Sequence, residues 1–240
     1  MHMKVNYILF TDGSVRRLRT GECISGYGIV VVDITTKQYT CFGGDIRTTS
    51  IVYAEAWAIY RGLHFISKIT KTRNVKPHVL VVSDSKLNVS ILGDLIPNTW
   101  DLSDWDNWKK KDGSPVMNQE LYRDIVELIY DNEMRVRFIH INSHLDDTAY
   151  KTIKKKLQEV DVKLDNDIAK LFVMMNNMAD ETATSITQER KESIRDRSSL
   201  TWRYSSWNPL RIKDGGKHHG RTSYYSNCGY MDRSRYIDRR

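Results

Sequence analysis

Cysteine is nearly absent from this sequence, and long apolar runs are missing altogether. Cys23, Cys41 and Cys228 are too few and too scattered for a disulfide framework or a Cys-based zinc site, which fits a reducing, cytoplasmic setting. No run of 18 apolar residues exists, so no membrane span is expected, and the N-terminus lacks the apolar core of a signal peptide. The first 188 residues also lack net charge, with 24 Lys+Arg against 24 Asp+Glu. The surplus of +7 therefore lies in residues 189–240, where 13 Lys+Arg face 6 Asp+Glu. A neutral body with a basic tail points to a polyanionic partner, with nucleic acid the first choice.

At 240 residues the chain can bury a sizeable core, as one large domain or a domain with an extension. Three strands are expected first, at Val5–Phe10, Tyr27–Ile34 and Gln38–Ile46, the last two joined by a short Thr35-Thr36-Lys37 link. Helical spacing follows over 52–69, with Val52, Ala56, Ile59, Leu63 and Ile66 on one stripe. His78–Ser83 is a continuous apolar run of the kind buried on both faces of a parallel sheet. Ser85–Leu95 suits a helix ended by Pro97, Met117–Asp131 a second, and Arg135–Ile141 a fifth strand. Thr148–Leu157, Val160–Met175 and Asn176–Thr187 again read as helical. This order gives an α/β fold, a mixed five-stranded sheet with helices packed on it. From about Glu189 onward apolar periodicity fades, and the segment reads as a weakly ordered basic extension rich in Arg, Tyr and Ser.

Several acids stand where acids are costly. Asp12 follows the apolar run Tyr7–Phe10, and Asp84 follows Val79–Ser83. Glu55 lies about 40° from Ile59 at 100° per residue, inside the buried stripe of its helix. Asp180 lies four residues after Asn176, near the expected start of the last helix. Each has an ordinary structural explanation. Asp12-Gly13 is a turn signal, Asp84 could cap the next helix, Asp180 could complete a capping pair with Asn177, and Glu55 could pair with Arg61 or His64. Together they converge, because adjacent strand ends and an overlying helix can bring several carboxylates to one point. Such a cluster repels itself unless cations neutralise it, and oxygen-only ligands favour Mg²⁺ or Mn²⁺.

The ordered set Thr11-Asp12-Gly13-Ser14, Gly26-Tyr27-Gly28, Ala54-Glu55, Ser83-Asp84-Ser85, Ser143-His144 and Asn176-x-x-Ala179-Asp180 resembles the type 1 ribonuclease H family over residues 4–188. Trp108-Lys109 and Pro115-Val116-Met117-Asn118-x-Glu120-Leu121-Tyr122 resemble its basic protrusion and the helix after it. The resemblance implies a catalytic domain over 1–188 and an extension over 189–240. It further implies that Asp12, Glu55, Asp84 and Asp180 hold two Mg²⁺ ions, with Mn²⁺ an alternative, for an in-line displacement at phosphorus. The implied reaction cuts the RNA strand of an RNA–DNA hybrid, leaving 5′-phosphate and 3′-hydroxyl ends. His144 matches the family's mobile-loop histidine, linked to proton movement or product release. Lys86, Trp108, Lys109, Asn118 and Asn176 fall at positions that would meet substrate, and a monomer is expected.

The departures bear on specificity. Ile51 and Val52 stand where the family carries two Asn that help read the hybrid, Lys86 replaces a common Gln, and Arg16 and Arg17 replace a small-residue loop. Asp101, Asp104 and Asp106 lighten the protrusion, although Lys109, Lys110 and Lys111 remain. His144 and Asp180 are 36 residues apart, which makes 148–175 a helical insertion beside the active-site loop. Arg and Tyr interleave at Trp202-Arg203-Tyr204 and Arg235-Tyr236, a pattern suited to phosphate contact and base stacking. His218-His219 has no neighbouring ligands and is not read as a metal pair. Two other readings stay open, a non-catalytic nucleic-acid-binding module and a DNA junction nuclease on the same fold.

Overall fold

The computed structural model describes residues 3–98, 104, 108–110, 112–142, 150–164, 171–196 and 227–230. His144, Trp202-Arg203-Tyr204, His218-His219 and Arg235-Tyr236 lie outside them. The sheet holds the five expected strands, β1 (Tyr7–Arg17), β2 (Cys23–Asp33), β3 (Gln38–Ile46), β4 (His78–Ser83) and β5 (Arg135–His140). A short β6 (Asn227–Tyr230) from the basic extension adds a sixth beside β3, in the order β5-β4-β1-β2-β3-β6. The pairs β1–β2, β2–β3 and β3–β6 are antiparallel, while β1–β4 and β4–β5 are parallel.

Strand alternation divides the core in two. Tyr7 and Leu9 of β1, with Val79 and Val81 of β4, face one side, where α1 (Ile51–Arg73) contributes Ile59, Leu63 and Ile66. α4 (Gln119–Asp131) adds Leu121, Tyr122 and Ile125 to that side. Ile8, Phe10, Leu80 and Val82 face the other side, where α5 (Tyr150–Glu159) and α6 (Phe172–Asp196) contribute Ile153, Leu157, Phe172, Met175 and Ala179. The continuous apolar run of β4 marked it as buried on both faces because that strand is covered on both sides.

β1 is longer than its apolar run predicts. It continues through Asp12 to Arg17, pairing with β2 down to Arg17↔Cys23. Asp12-Gly13 is therefore strand, paired with Gly28 and Tyr27, and not a turn. The far half of this ribbon carries Ser14, Arg16 and Arg17, polar residues that hide it from a search for apolar alternation. α6 explains them. Arg16 Nη1 donates to Gln188 Oε1 at 2.6 Å, and Ser14 and Thr187 hydroxyls meet at 3.3 Å.

Three helical expectations need correction. The segment after Ser85 is α2 (Lys86–Ser90), a π turn (Ile91–Leu95) and a last turn α3 (Ile96–Asn98), so it runs through Pro97. Ile96 N–H bonds Ile91 C=O in the wider register, just ahead of a proline that cannot donate. Val160–Met175 is not one helix. Val162 forms a bridge with Met3 after α5 has ended, and Phe172–Met175 is already the first turn of α6. α6 also continues to Asp196, past the expected end of the catalytic domain at 188. Among the described residues no helix is long and apolar enough to cross a membrane.

Candidate active site

Four elements deliver the four acids, and β-sheet register sets the first two. The last β1–β4 pair is Thr11↔Ser83, so Asp12 and Asp84 are the next residue on each parallel strand. Both acids stand where the parallel pairing stops. β4 ends there, but β1 does not, which replaces the expectation that Asp12 terminates its strand.

Two glycines set the other acids against this point. An added Cβ on Gly13 would lie 2.6 Å from the Glu55 amide nitrogen and 2.8 Å from the Ala54 carbonyl carbon. Gly13 thus lets α1 rest its second turn directly on β1, beside Asp12. Gly28, the ladder partner of Asp12, has no room for a Cβ because the Ala179 carbonyl oxygen occupies it. That contact presses α6 onto β2 next to Asp180. Ser50 fixes the start of α1 by accepting a hydrogen bond from Tyr53 N–H at 3.2 Å. These contacts are backbone geometry, invisible to a count of side-chain types.

The acids act chiefly on one another. Asp12 is 9% exposed. Burial, followed by the charges of Asp84 and Asp180, pushes its carboxyl up to about 8. Its oxygens lie within hydrogen-bond reach of both neighbouring carboxyls. Burial also raises Asp84, against a backbone hydrogen bond that lowers it. Glu55 is pushed up to about 7 by burial, a hydrogen bond from Ser85 opposing the rise and the Asp84 charge adding to it. Such shifts mark carboxylates that lack a positive partner. Asp84 Oδ1 is buried with no hydrogen-bond partner among the described residues.

The donor set fits a hard divalent cation. Every donor is a carboxylate oxygen, and Asp84 Oδ1, buried without a partner among the described residues, is an acceptor that a cation would satisfy. Among the described residues no three His, Cys, Asp or Glu side chains already stand in ligating geometry. The acid-to-acid contacts of Asp12 would have to open as a cation enters.

Glu55 is held by a polar network that the sequence did not reveal. Fully buried Asn88 donates to Ser85 Oγ at 2.9 Å, Val52 C=O at 3.1 Å and Glu55 Oε2 at 3.3 Å. The Tyr122 hydroxyl donates to Asn88 Oδ1 at 2.6 Å, and burial drives the Tyr122 pKa upward. α4, α2 and α1 are thereby linked through one amide. An Asn two residues past a strand-end Asp-Ser-Lys could have flagged this, but only the fold puts Tyr122 above it. His140, at the end of β5, also reaches the site through a hydrogen bond with the Asp84 backbone. Its alternation with Ile139 and Ile141 gave no hint of that.

The remaining candidates divide. Lys86 is exposed on the first residue of α2, and Lys109 is exposed on the turn bridging to Pro115. Trp108 is buried, where an exposed substrate contact is expected. It is 2% exposed in the α1-side core, with Val116 N–H donating to its carbonyl at 3.2 Å, so it anchors the lysine turn from beneath. Asn118 adopts a left-handed φ of 60° before α4, and its Nδ2 is buried without a partner among the described residues. Asn176 is buried one turn before Asp180 on α6, whose start at Phe172 puts Asp180 inside the helix and removes its capping role. Asp84 is likewise not the cap of α2, since Ser85 holds that position.

The RNase H profile matches residues 4–188, the stretch that carries all four acids and both glycines. The chain belongs to the RNase H family. It is 31% identical over 102 residues to the ribonuclease H of Tropheryma whipplei strain Twist, and equally to that of strain TW08/27. The aligned stretch covers 42% of this chain and 55% of those proteins, so the chain spans about half the length of the curated relatives it matches. Among solved structures, it is similar to the PFV RNase H domain, with a TM-score of 0.51 at 18% identity, covering 78% of this chain and 97% of that one. It is also similar to LC9-RNase H1, a type 1 RNase H with the type 2 active-site motif, with a TM-score of 0.50 at 14% identity. There the match covers 79% of this chain and 75% of that one. At such identities the likeness concerns the fold, and it places this RNase H-family chain on the mixed five-stranded sheet that its sequence implies.

Proposed function

We propose that this protein is a metal-dependent endoribonuclease that hydrolyses the RNA strand of RNA–DNA hybrids, leaving 5′-phosphate and 3′-hydroxyl ends. The observation that carries the reading is the mutual approach of Asp12, Glu55, Asp84 and Asp180, with Asp84 Oδ1 buried and without a partner among the described residues. Asp12 and Asp84 would hold cations from the sheet, while Glu55 and Asp180 would complete the set from α1 and α6. Bound there, two Mg²⁺ ions, or Mn²⁺, would supply Lewis-acid activation of water and stabilisation of the leaving oxygen.

The protein's own groups orient this centre. Asn88 and Ser85 hold the Glu55 carboxyl in one direction, and Tyr122 fixes the Asn88 amide. His144 is proposed to move protons or release product, as the family resemblance implies. Lys86 and Lys109 would meet phosphates, and Asn118 and Asn176 would position sugar and backbone near the acids. Binding through the minor groove of a hybrid, with its 2′-hydroxyls, is the expected route. Ile51 is 43% exposed at the N-terminus of α1 and offers that groove an apolar contact in place of an amide. A cytoplasmic monomer belongs to the same proposal.

The experiment is cleavage of a labelled RNA–DNA hybrid in Mg²⁺, beside duplex RNA, single-stranded RNA and duplex DNA, with Asp12→Asn in every lane. Hybrid-only cutting that Asp12→Asn lacks is the expected result. Binding without cutting in Mg²⁺ or Mn²⁺ would instead make the protein a nucleic-acid-binding module, and cutting of branched DNA alone would make it a junction nuclease.

A further inference from the structure

The insertion between β5 and α6 contains α5, a helix with two unlike sides. Ile153 and Leu157 are 1% and 5% exposed and sit in the core cluster with Ile139 and Ile141 of the β5 edge. Lys151, Lys154 and Lys155 are exposed and Lys156 is half-buried, against a single acid, Glu159, in the same helix. Four lysines within six residues repel one another, a cost that a solvated face tolerates but that a polyanion would relieve.

The helix is pinned in place. Val162, just beyond it, is 4% exposed and bridges to Met3, whose N–H donates to the Asp161 carbonyl at 2.9 Å. Its position is also informative. β5 pairs with β4 up to His140↔Ser83, one residue short of Asp84. Lys156 and Lys86 both lie within electrostatic reach of His140, whose ring meets the Asp84 backbone. Two lysines, one from α2 and one from the insertion, therefore flank the same edge of the acid centre. At 100° per residue Lys156 lies on one flank of the buried stripe, Lys154 on the other, and Lys151 and Lys155 between them on the outer side.

We propose that α5 is a phosphate-binding surface for the nucleic-acid backbone running off the β5 edge of the active site, with Lys156 its innermost contact. This rests on the hybrid-nuclease reading for the identity of the nucleic acid. The protrusion on the α4 side is lightened by acids, and α5 supplies cationic charge on the opposite side of the fold. A duplex crossing the acid centre would be gripped from both flanks. Each lysine that neutralises a phosphate releases counterions, so the signature is a salt dependence and not only an affinity.

The test uses the full chain carrying Asp12→Asn, to prevent cleavage, and a labelled RNA–DNA hybrid of about two helical turns. Binding is followed by anisotropy across a salt series for the parent, Lys156→Gln, Lys151→Gln/Lys154→Gln/Lys155→Gln/Lys156→Gln, and Lys37→Gln as a control on the distant β2–β3 turn. The fourfold variant should bind about tenfold more weakly at ~0.1 M salt, with a log–log slope shallower by about 2 to 3. Lys156→Gln should account for about one unit of that slope, and Lys37→Gln for none. Should the fourfold variant not fold, Lys156→Gln and Lys155→Gln decide alone, since neither touches Ile153 or Leu157. Parental slopes in these variants, with circular dichroism unchanged, would overturn the proposal. Duplex DNA and single-stranded RNA run in parallel separate the two claims. A slope change on those ligands, in a protein that does not cut hybrids, keeps α5 as a phosphate grip while the hybrid reading falls. No binding to any of the three sinks both.

Discussion

Asp12 and Asp33 lie on the same antiparallel ladder and are equally withdrawn from solvent, at 9% and 8% exposure. Their surroundings are opposite. Asp33, at the far end of β2, accepts from the Thr35 and Thr36 amides at 2.9 and 3.1 Å and from Arg73, which also donates to the Tyr7 hydroxyl. Asp12 has two carboxyls beside it instead. Burial alone thus does not tell a paired acid from a clustered one. The chain surrounds Asp33 with donors, whereas beside Asp12 it sets two further carboxyls against a backbone hydrogen bond from Gly13.

The sharpest way to break this comparison is to neutralise each acid in turn. Asp12→Asn should lower hybrid cleavage by ~10³-fold or more, since one donor of the proposed metal centre is lost. Asp33→Asn should leave kcat within about twofold, because its partners all lie at the other end of the sheet. Equal losses from the two substitutions would refute the division.

Stability should reverse that order, and pH exposes it. A carboxyl raised to about 8 in the folded protein binds its proton more tightly there than in the unfolded chain. Its folded state carries no penalty below the ordinary Asp range and loses stability as pH climbs through the folded value. The Glu55 carboxyl, raised to about 7, acts in the same sense over a narrower span. The metal-free protein should therefore melt at progressively lower temperature from about pH 4 to about pH 8, a loss of a few kcal/mol. Mg²⁺ should restore stability most at the alkaline end. Asp12→Asn should flatten the profile, and a flat profile in the unsubstituted protein would remove the electrostatic argument for the site.

The glycines come next in size. Gly13→Ala puts a methyl against the Glu55 backbone, and Gly28→Ala one against the Ala179 carbonyl. Each should cost ~1–3 kcal/mol, or more where the backbone cannot yield. Each should also depress kcat, because it moves Glu55 or Asp180 away from Asp12. Gly21→Ala, in the open β1–β2 turn with φ 89°, should destabilise through its backbone conformation and spare kcat. Denaturant melts beside single-turnover rates separate the two patterns.

Asp33→Ala should cost ~1–2 kcal/mol, since it strands two amides and a half-exposed Arg73. Smallest of all, Tyr122→Phe should cost about 1 kcal/mol, by orphaning Asn88 Oδ1. It should lower kcat a few-fold with KM unchanged, because the Glu55 carboxyl is steadied through Asn88. An unaltered kcat would reduce the Tyr122–Asn88 pair to a structural link.

Much of this was legible beforehand. The apolar runs at Leu9–Phe10 and Val79–Val82 are buried on both faces, and periodicity reports that directly. The apolar stripe through Ile59, Leu63 and Ile66 identified both α1 and the anomaly of Glu55 within it. The polar half of β1, the π turn before Pro97 and the bridge at Val162 were not legible, because each depends on a partner distant in sequence.

The sequence by itself determined the succession of strands and helices, the mixed five-stranded sheet and the oddity of four acids at costly positions, since periodicity and misplaced charge are local properties. Only the tertiary structure decided which acids stand beside other acids, that Trp108 is buried, and that Asn88 and Tyr122 hold Glu55. Those outcomes depend on distances between elements, here set by glycines where two backbones must touch, and no single segment encodes a distance to another.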